Sequence, residues 1–451
     1  MAGIFKAYDI RGVYPRDLDE ALARRIGWAF ATFLKAKRIL VGRDVRLAAP
    51  AVSAAAIEGI RSAGADVLDV GMVTTPTTYF GVGKLGCDGG LMVTASHNPP
   101  EWIGFKLCRE QAIPLSEATG IRDLERMIAS APASFAPKGR IETLDIRDDY
   151  VRHLLPASWL CQSFAHDVKP LSLVIDTAHG AVGTVLPQVL EKLPCRVERL
   201  FFEPDGRFPA HEPNPLNEAT LADLKKALAR TKADLGVAFD GDGDRCIFVD
   251  ARGLRVRPDL VTGALAREVL ASSPGSAVVY DLRSSWAVRE EIAALGGKPV
   301  RERVGHAFIK ATMRRENAAL GGELSGHYYF RDHYFADSGI MAFLRVLSLV
   351  SRAGRPLHEL IAPLERYSAS GELNFHVEDK DGMLARLKGT FADGRVDELD
   401  GVTVEYADWW FNARKSNTEP ALRLNIEART PALLAEGKGR LLAILGRPEG
   451  E

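Results

Sequence analysis

Phe239-Asp240-Gly-Asp242-Gly-Asp244-Arg245 sets three aspartates at alternate positions. In an extended chain such side chains fall on one side, and the glycines between them let the backbone bend around an ion. Bunched carboxylates call for a cation, and hard oxygen donors suit Mg2+ or Ca2+. A calcium EF-hand is excluded, because Arg245 and Ala251 stand where its loop needs glycine and glutamate. A second segment, Thr94-Ala-Ser96-His97-Asn98-Pro99-Pro100, follows the apolar run Leu91 to Val93. Ser96 therefore falls on a loop at a strand's carboxyl end, where active sites of open α/β sheets collect. Alone, the segment reads as a plain turn, and the G-x-S-x-G elbow of serine hydrolases is absent.

Two further loops add sugar and phosphate chemistry. Gly321-Gly322-Glu323-Leu324-Ser325-Gly326-His327 offers a carboxylate, a hydroxyl and an imidazole, a set able to bind vicinal hydroxyls and exchange a proton. Arg414-Lys415-Ser416-Asn417-Thr418-Glu419-Pro420 offers a cationic fork and hydrogen-bonding side chains, either a phosphate cradle or an ordinary polar turn. Arg11, expected after a short strand, and Lys106, ten residues beyond Ser96, are cations that could equally be surface charges. Each set occurs once, and one cleft walled by several domains would use them together.

The elements that must position these residues alternate between strand and helix. Asp17 and Glu20 are spaced as a capping box before a helical run of Leu22, Ile26, Phe30 and Phe33. A second helix is expected from about Pro50 to Ser62, and the alternation implies a mainly parallel sheet covered by helices. One phrase recurs: Ile39 to Asp44, Leu171 to Asp176 and Ala277 to Asp281 are each an apolar strand ending near an aspartate, which suggests a repeated α/β domain. Past Tyr367, the short strands Leu373 to Val377, Val402 to Tyr406 and Leu422 to Ile426, separated by helices, read as a smaller α+β domain.

Composition bounds the partners. The chain has 451 residues, 58 Lys and Arg against 59 Asp and Glu, and a net charge of -1. That supplies no field to hold nucleic acid or an anionic membrane. Its longest apolar stretch, Ile340 to Val350, contains Arg345 and falls short of a membrane span. Cys87, Cys108, Cys161, Cys195 and Cys246 are scattered without a CxxC pair, and the N-terminal segment has no apolar signal region. The expectation is reduced thiols in a cytoplasmic protein.

Taken together, the four loops resemble the α-D-phosphohexomutase superfamily, from Tyr8 to Pro420. Thr94-Ala-Ser-His-Asn-Pro is similar to its phosphoserine loop, Asp240-Gly-Asp-Gly-Asp-Arg to its metal loop, Gly322-Glu-Leu-Ser-Gly-His to its sugar loop, and Arg414-Lys-Ser-Asn-Thr-Glu-Pro to its phosphate loop. The resemblance implies four domains around a central cleft, three similar α/β domains with mixed sheets and a C-terminal α+β domain. The expected domain spans are 1–138, 139–252, 253–367 and 368–451. Within the superfamily the likeness is to bacterial phosphomannomutase/phosphoglucomutase. Asn417 stands where phosphoglucosamine mutases typically have glycine, and Leu324 where they usually have glutamine. Arg283 stands about where the mannose/glucose enzymes carry a lysine that touches substrate.

What the resemblance implies is a 1,6-phosphoryl transfer on mannose or glucose phosphates, through phosphorylated Ser96 and a glucose 1,6-bisphosphate intermediate, with Mg2+ held by Ser96, Asp240, Asp242 and Asp244. Arg11, Lys106 and His327 are the candidates for charge stabilisation and proton transfer; Lys106 would need a depressed pKa to act as the base. Tyr8, Arg245, His306, Glu323, Ser325, Arg414, Ser416, Asn417 and Thr418 are the expected substrate contacts, and the protein is expected to be a monomer or weak dimer. Phosphoglucosamine mutase is the alternative within the superfamily. A haloacid-dehalogenase-type phosphatase with Asp240 as nucleophile is the alternative outside it.

Overall fold

Each of the three apolar runs that end in aspartate forms a strand, and each strand starts the same unit of structure. The computed structural model describes residues 3–157, 170–416 and 421–449; Cys161, Asn417 and Thr418 lie outside these. Arg38–Arg43, Leu171–Asp176 and Ala277–Asp281 each run parallel to the next strand in sequence on one side (Asp66–Met72, Cys195–Leu200, Lys298–Glu302). On the other side each runs parallel to the third strand (Gly89–Val93, Leu235–Phe239, Leu320–Gly322). Parallel neighbours need crossover connections, here supplied by helical segments such as Ala49–Ser62 and Thr75–Leu85 in the first repeat.

The aspartates Asp44, Asp176 and Asp281 are buried and do the same job. Each accepts the backbone N–H two residues on, from Arg46 at 2.9 Å, Ala178 at 2.8 Å and Arg283 at 2.8 Å. These side-chain turns end the strand and launch the loop behind it. The repetition is therefore real in topology and in local chemistry.

The first repeat closes with antiparallel Trp102–Arg109 and Ile10–Val13, giving a mixed six-stranded sheet, and the second with antiparallel Cys246–Asp250. The last domain is a five-stranded antiparallel sheet of Ser368–His376, Ala421–Ala428, Trp409–Lys415, Val402–Glu405 and Arg395–Asp397. Trp409–Lys415 therefore replaces the helix expected between the last two strands.

Two other local expectations change. Helix Glu20–Leu34 is capped by Asp19, whose side chain accepts from Leu22 N, and not by Asp17. Asp17 instead accepts from Val13 N at 3.0 Å. Arg11 lies within its strand rather than after it.

By internal packing the chain divides into two compact units, 1–258 with 325–360, and 259–324 with 361–451. Among the described residues no helix is long and apolar enough to cross a membrane.

Candidate active site

The third strand of each repeat ends at a loop singled out above: Gly89–Val93 at Ser96, Leu235–Phe239 at Asp240, and Leu320–Gly322 at Glu323. The first two loops meet within the first unit. Ser96 Oγ donates to Asp240 Oδ2 at 2.7 Å, with both residues buried. Ser96 itself sits at φ 51°, in the left-handed region that costs a non-glycine residue about 1 kcal/mol. Asp240 Oδ1 accepts the backbone N–H groups of Gly243 and Arg245, each at 3.1 Å, so this carboxylate curls its own loop. Gly243 takes φ 76° at that bend, which explains one of the two glycines. With Oδ1 and Oδ2 both engaged, Asp240 is poorly disposed as a free nucleophile.

Asp240, Asp242 and Asp244 each offer an oxygen, and these atoms all lie within 4.8 Å of one another. Asp242 Oδ2 accepts from Thr75 Oγ1 at 2.6 Å and Lys106 Nζ at 2.7 Å, while Asp242 Oδ1 is buried without a hydrogen-bond partner. An orphaned carboxylate oxygen in an all-oxygen set fits a hard divalent cation. Lys106 also pairs with Asp244. Burial works against the charge on Lys106, but Asp242 and Asp244 outweigh it and hold the amine as a cation, its pKa raised. Burial, Asp244 and Asp242 push Asp240 upward. Burial also opposes the charge on Asp244, but Lys106 and His327 override it and hold this group low.

His327 Nε2 lies 3.2 Å from Asp244 Oδ1 and 3.8 Å from Asp337 Oδ2, and its Nδ1 is 2.9 Å from Ser325 Oγ. Its loop is fixed to the metal loop by a backbone bond from Cys246 N to Gly326 O at 3.0 Å. Arg11 donates to Asn98 Oδ1 at 2.6 Å and pairs with Asp9 at 2.8 Å. Arg245 Nε is 3.9 Å from Asp240 Oδ2. Tyr8 directly precedes Asp9, the carboxylate that pairs with Arg11. His97 Nδ1 is 3.3 Å from Ser96 Oγ, and burial followed by Arg245, Arg11 and Lys106 keeps its ring well below the ordinary imidazole range.

The other candidates lie in the second unit. His306 opens helix His306–Arg315, and Glu323 is buried after its strand. Ser416 N donates to Ala421 O at 2.9 Å. Arg414 is buried, and its Nη2 lies 3.1 Å from Glu372 Oε2. The same carboxylate receives Arg283 at 3.2 Å and Arg423 at 2.9 Å. Arg283 also grips Asp281 at 2.8 Å, and Asp281 Oδ2 accepts Leu324 N at 2.7 Å, which anchors the Glu323 loop.

Sequence reasoning missed Arg46, Thr75, Asp337, Glu372 and Arg423. The Asp44-Val45-Arg46 spacing was the one available signal, since it recurs as Asp281-Leu282-Arg283; the others have no local pattern.

Repeats of this topology and a separate antiparallel sheet define a multidomain α/β scaffold, and the comparisons with known proteins give it a family. Models described as phosphoglucomutase/phosphomannomutase alpha/beta/alpha domains I, II and III and C-terminal domain match residues 2–133, 148–253, 257–367 and 372–444. A Xanthomonas campestris protein named "Phosphohexose mutases" is 42% identical over 98% of this chain and 99% of its own. A phosphomannomutase of Escherichia coli K12 is 40% identical over 98% of both chains. The crystal structure of a phosphoglucomutase/phosphomannomutase family protein from Burkholderia thailandensis superposes with a TM-score of 0.89 at 35% identity, covering 100% of this chain and 99% of that one. The chain belongs to the phosphoglucomutase/phosphomannomutase family.

Proposed function

We propose that this enzyme moves a phosphoryl group between the C1 and C6 hydroxyls of a hexose phosphate, with Ser96 as carrier. The observation that supports it most is Ser96 Oγ at 2.7 Å from Asp240, inside a buried trio of aspartates. Asp240, Asp242 and Asp244 would hold Mg2+, which when bound offsets charge on the transferring phosphoryl oxygens.

In this reading the resting enzyme carries phosphate on Ser96. A sugar hydroxyl attacks phosphorus, the new P–O bond forms as the P–Oγ bond breaks, and the hydroxyl proton passes to a base. Of the three candidates His327 and Lys106 can take that role and Arg11 cannot, because a guanidinium does not give up its proton. Arg11 then balances charge. The resulting 1,6-bisphosphate turns over and returns its other phosphate to Ser96. Glu323 and Ser325 would read the sugar hydroxyls; Arg414, Ser416, Asn417 and Thr418 would hold the distal phosphate; Tyr8, Arg245 and His306 would support these contacts.

Relatives named phosphomannomutase and domain models described as phosphoglucomutase/phosphomannomutase support mannose and glucose phosphates as the substrates. The free thiols of Cys87, Cys108, Cys195 and Cys246 suit a cytoplasmic setting.

Intact mass and peptide mapping, with Ser96→Ala assayed alongside, test the reading. Phosphate on Ser96 and collapse of glucose 1-phosphate to glucose 6-phosphate conversion in the mutant are expected. Full activity in the mutant, or phosphate on Asp240, overturns it.

A further inference from the structure

Arg46 has its side chain fully buried, at 0% exposure. Burying a guanidinium is costly unless its N–H groups are matched. Here four are matched by backbone carbonyls of a single loop. Nη1 donates to Pro99 O at 2.6 Å and Trp102 O at 2.9 Å; Nη2 donates to Ser96 O at 3.0 Å and Asn98 O at 2.6 Å. Nε faces Asp44 Oδ2 at 3.2 Å, and the guanidinium carbon lies 5.2 Å from the centre of the Phe208 ring. Phe208 packs with Val45 and Ala181. A side chain at Gly206 would come within 2.3 Å of Val45 O, so the second repeat's backbone is pressed onto this segment.

The loop so gathered holds Ser96 at φ 51°. Its local support is Ser96 N to Thr94 Oγ1 at 2.8 Å and the turn bond Asn98 N to Ala95 O at 3.0 Å, while Arg46 supplies the four bonds that tie the loop to another strand end. Without the arginine, four carbonyls lose their donor together, and Ser96 is free to relax toward ordinary backbone and swing Oγ away from Asp240.

We propose that Arg46 is the positioning residue of the phosphoryl-carrying loop: by collecting the carbonyls of Ser96, Asn98, Pro99 and Trp102 it fixes the Ser96 backbone in the conformation that aims Oγ at the aspartates. This rests on the reading of Ser96 as carrier. The Arg46 side chain is fully buried with its terminal N–H groups spent on backbone carbonyls, so its loss should act on transfer and not on sugar binding. Misplacing a reacting group by about 1 Å costs roughly 100-fold in rate.

The test uses full-length Arg46→Lys and Arg46→Met, loaded with phosphate from glucose 1,6-bisphosphate and quantified by intact mass. Single-turnover transfer from phosphorylated Ser96 to glucose 1-phosphate is then timed per loaded molecule. Expected is a slowing of about 100-fold, greater for Arg46→Met, with the apparent affinity for glucose 1-phosphate changed less than threefold. Transfer within threefold of the parent in either folded variant overturns the proposal, as does a rate loss that merely follows the folded fraction. Should neither variant fold, Phe208→Leu leaves every donor in place and removes the ring that seats the guanidinium. It should slow transfer about tenfold at unchanged affinity, and an unchanged rate overturns the proposal. A parent enzyme that never carries phosphate on Ser96 overturns the carrier reading instead.

Discussion

Glu372 gathers Arg283, Arg414 and Arg423 on one carboxylate, three cations to one anion. Burial would raise its pKa, but Arg283, Arg423 and Arg414 outweigh it and hold the group below its ordinary 4.5. A depressed carboxylate contributes stability that is complete above that ordinary value and is lost as pH falls through the lower folded one. Glu372→Gln should therefore be less stable than the parent at pH 6, by about 1–3 kcal/mol. The gap should close on acidification toward pH 3.5, read as urea midpoints of the two proteins across that range. A gap that widens instead would show that the arginines do not depend on this carboxylate.

The aspartate trio was legible because its members stand two apart, and local spacing is what a sequence displays. Arg46 and Glu372 were not, because the carbonyls of Arg46 lie 50 to 56 residues away and Glu372 meets Arg283 across 89.

At the scale of elements, helices Glu20–Leu34 and Ala49–Ser62 cross backbone to backbone. A methyl group on Gly59 would meet Arg24 O at 1.9 Å, and one on Gly27 would meet Ala56 O at 2.1 Å. Neither clash can be relieved by a side-chain rotation. Gly59→Ala should lower stability by about 1–3 kcal/mol in urea titration, because the helices must part. Activity per folded molecule should persist, since both helices lie outside the site loops.

The second of these helices was readable from Pro50 and Gly64, and the first from its apolar spacing. Its cap was misread because Asp17 and Asp19 both precede Glu20, and only geometry shows which one meets Leu22 N. Trp409–Lys415 escaped because Trp409 through Arg414 are all buried, so the polar alternation of a half-exposed strand is missing.

For the whole molecule, one strand position does three jobs. The third strand of each repeat ends at the Ser96, Asp240 or Glu323 loop, and under the proposed function these copies of one fold would divide the labour of one reaction. The aspartates that end the first strands made this repetition visible in sequence; that each also makes the same side-chain turn required coordinates.

The salt link from Lys106 to Asp242 and Asp244 bears on how the proposed Mg2+ would enter. With that ion the site would be an ion exchanger, in which a divalent cation competes with a tethered ammonium for the same oxygens. Chelation should then abolish turnover while lowering the melting temperature by less than about 2 °C, a shift worth roughly 1 kcal/mol or less. In Lys106→Met the rival is gone, so the chelated protein should melt lower, and millimolar Mg2+ should raise its melting temperature more than it raises the parent's. Scanning calorimetry of both proteins with and without the ion reads this directly. Equal shifts in the two would mean that ion and ammonium occupy the carboxylates together.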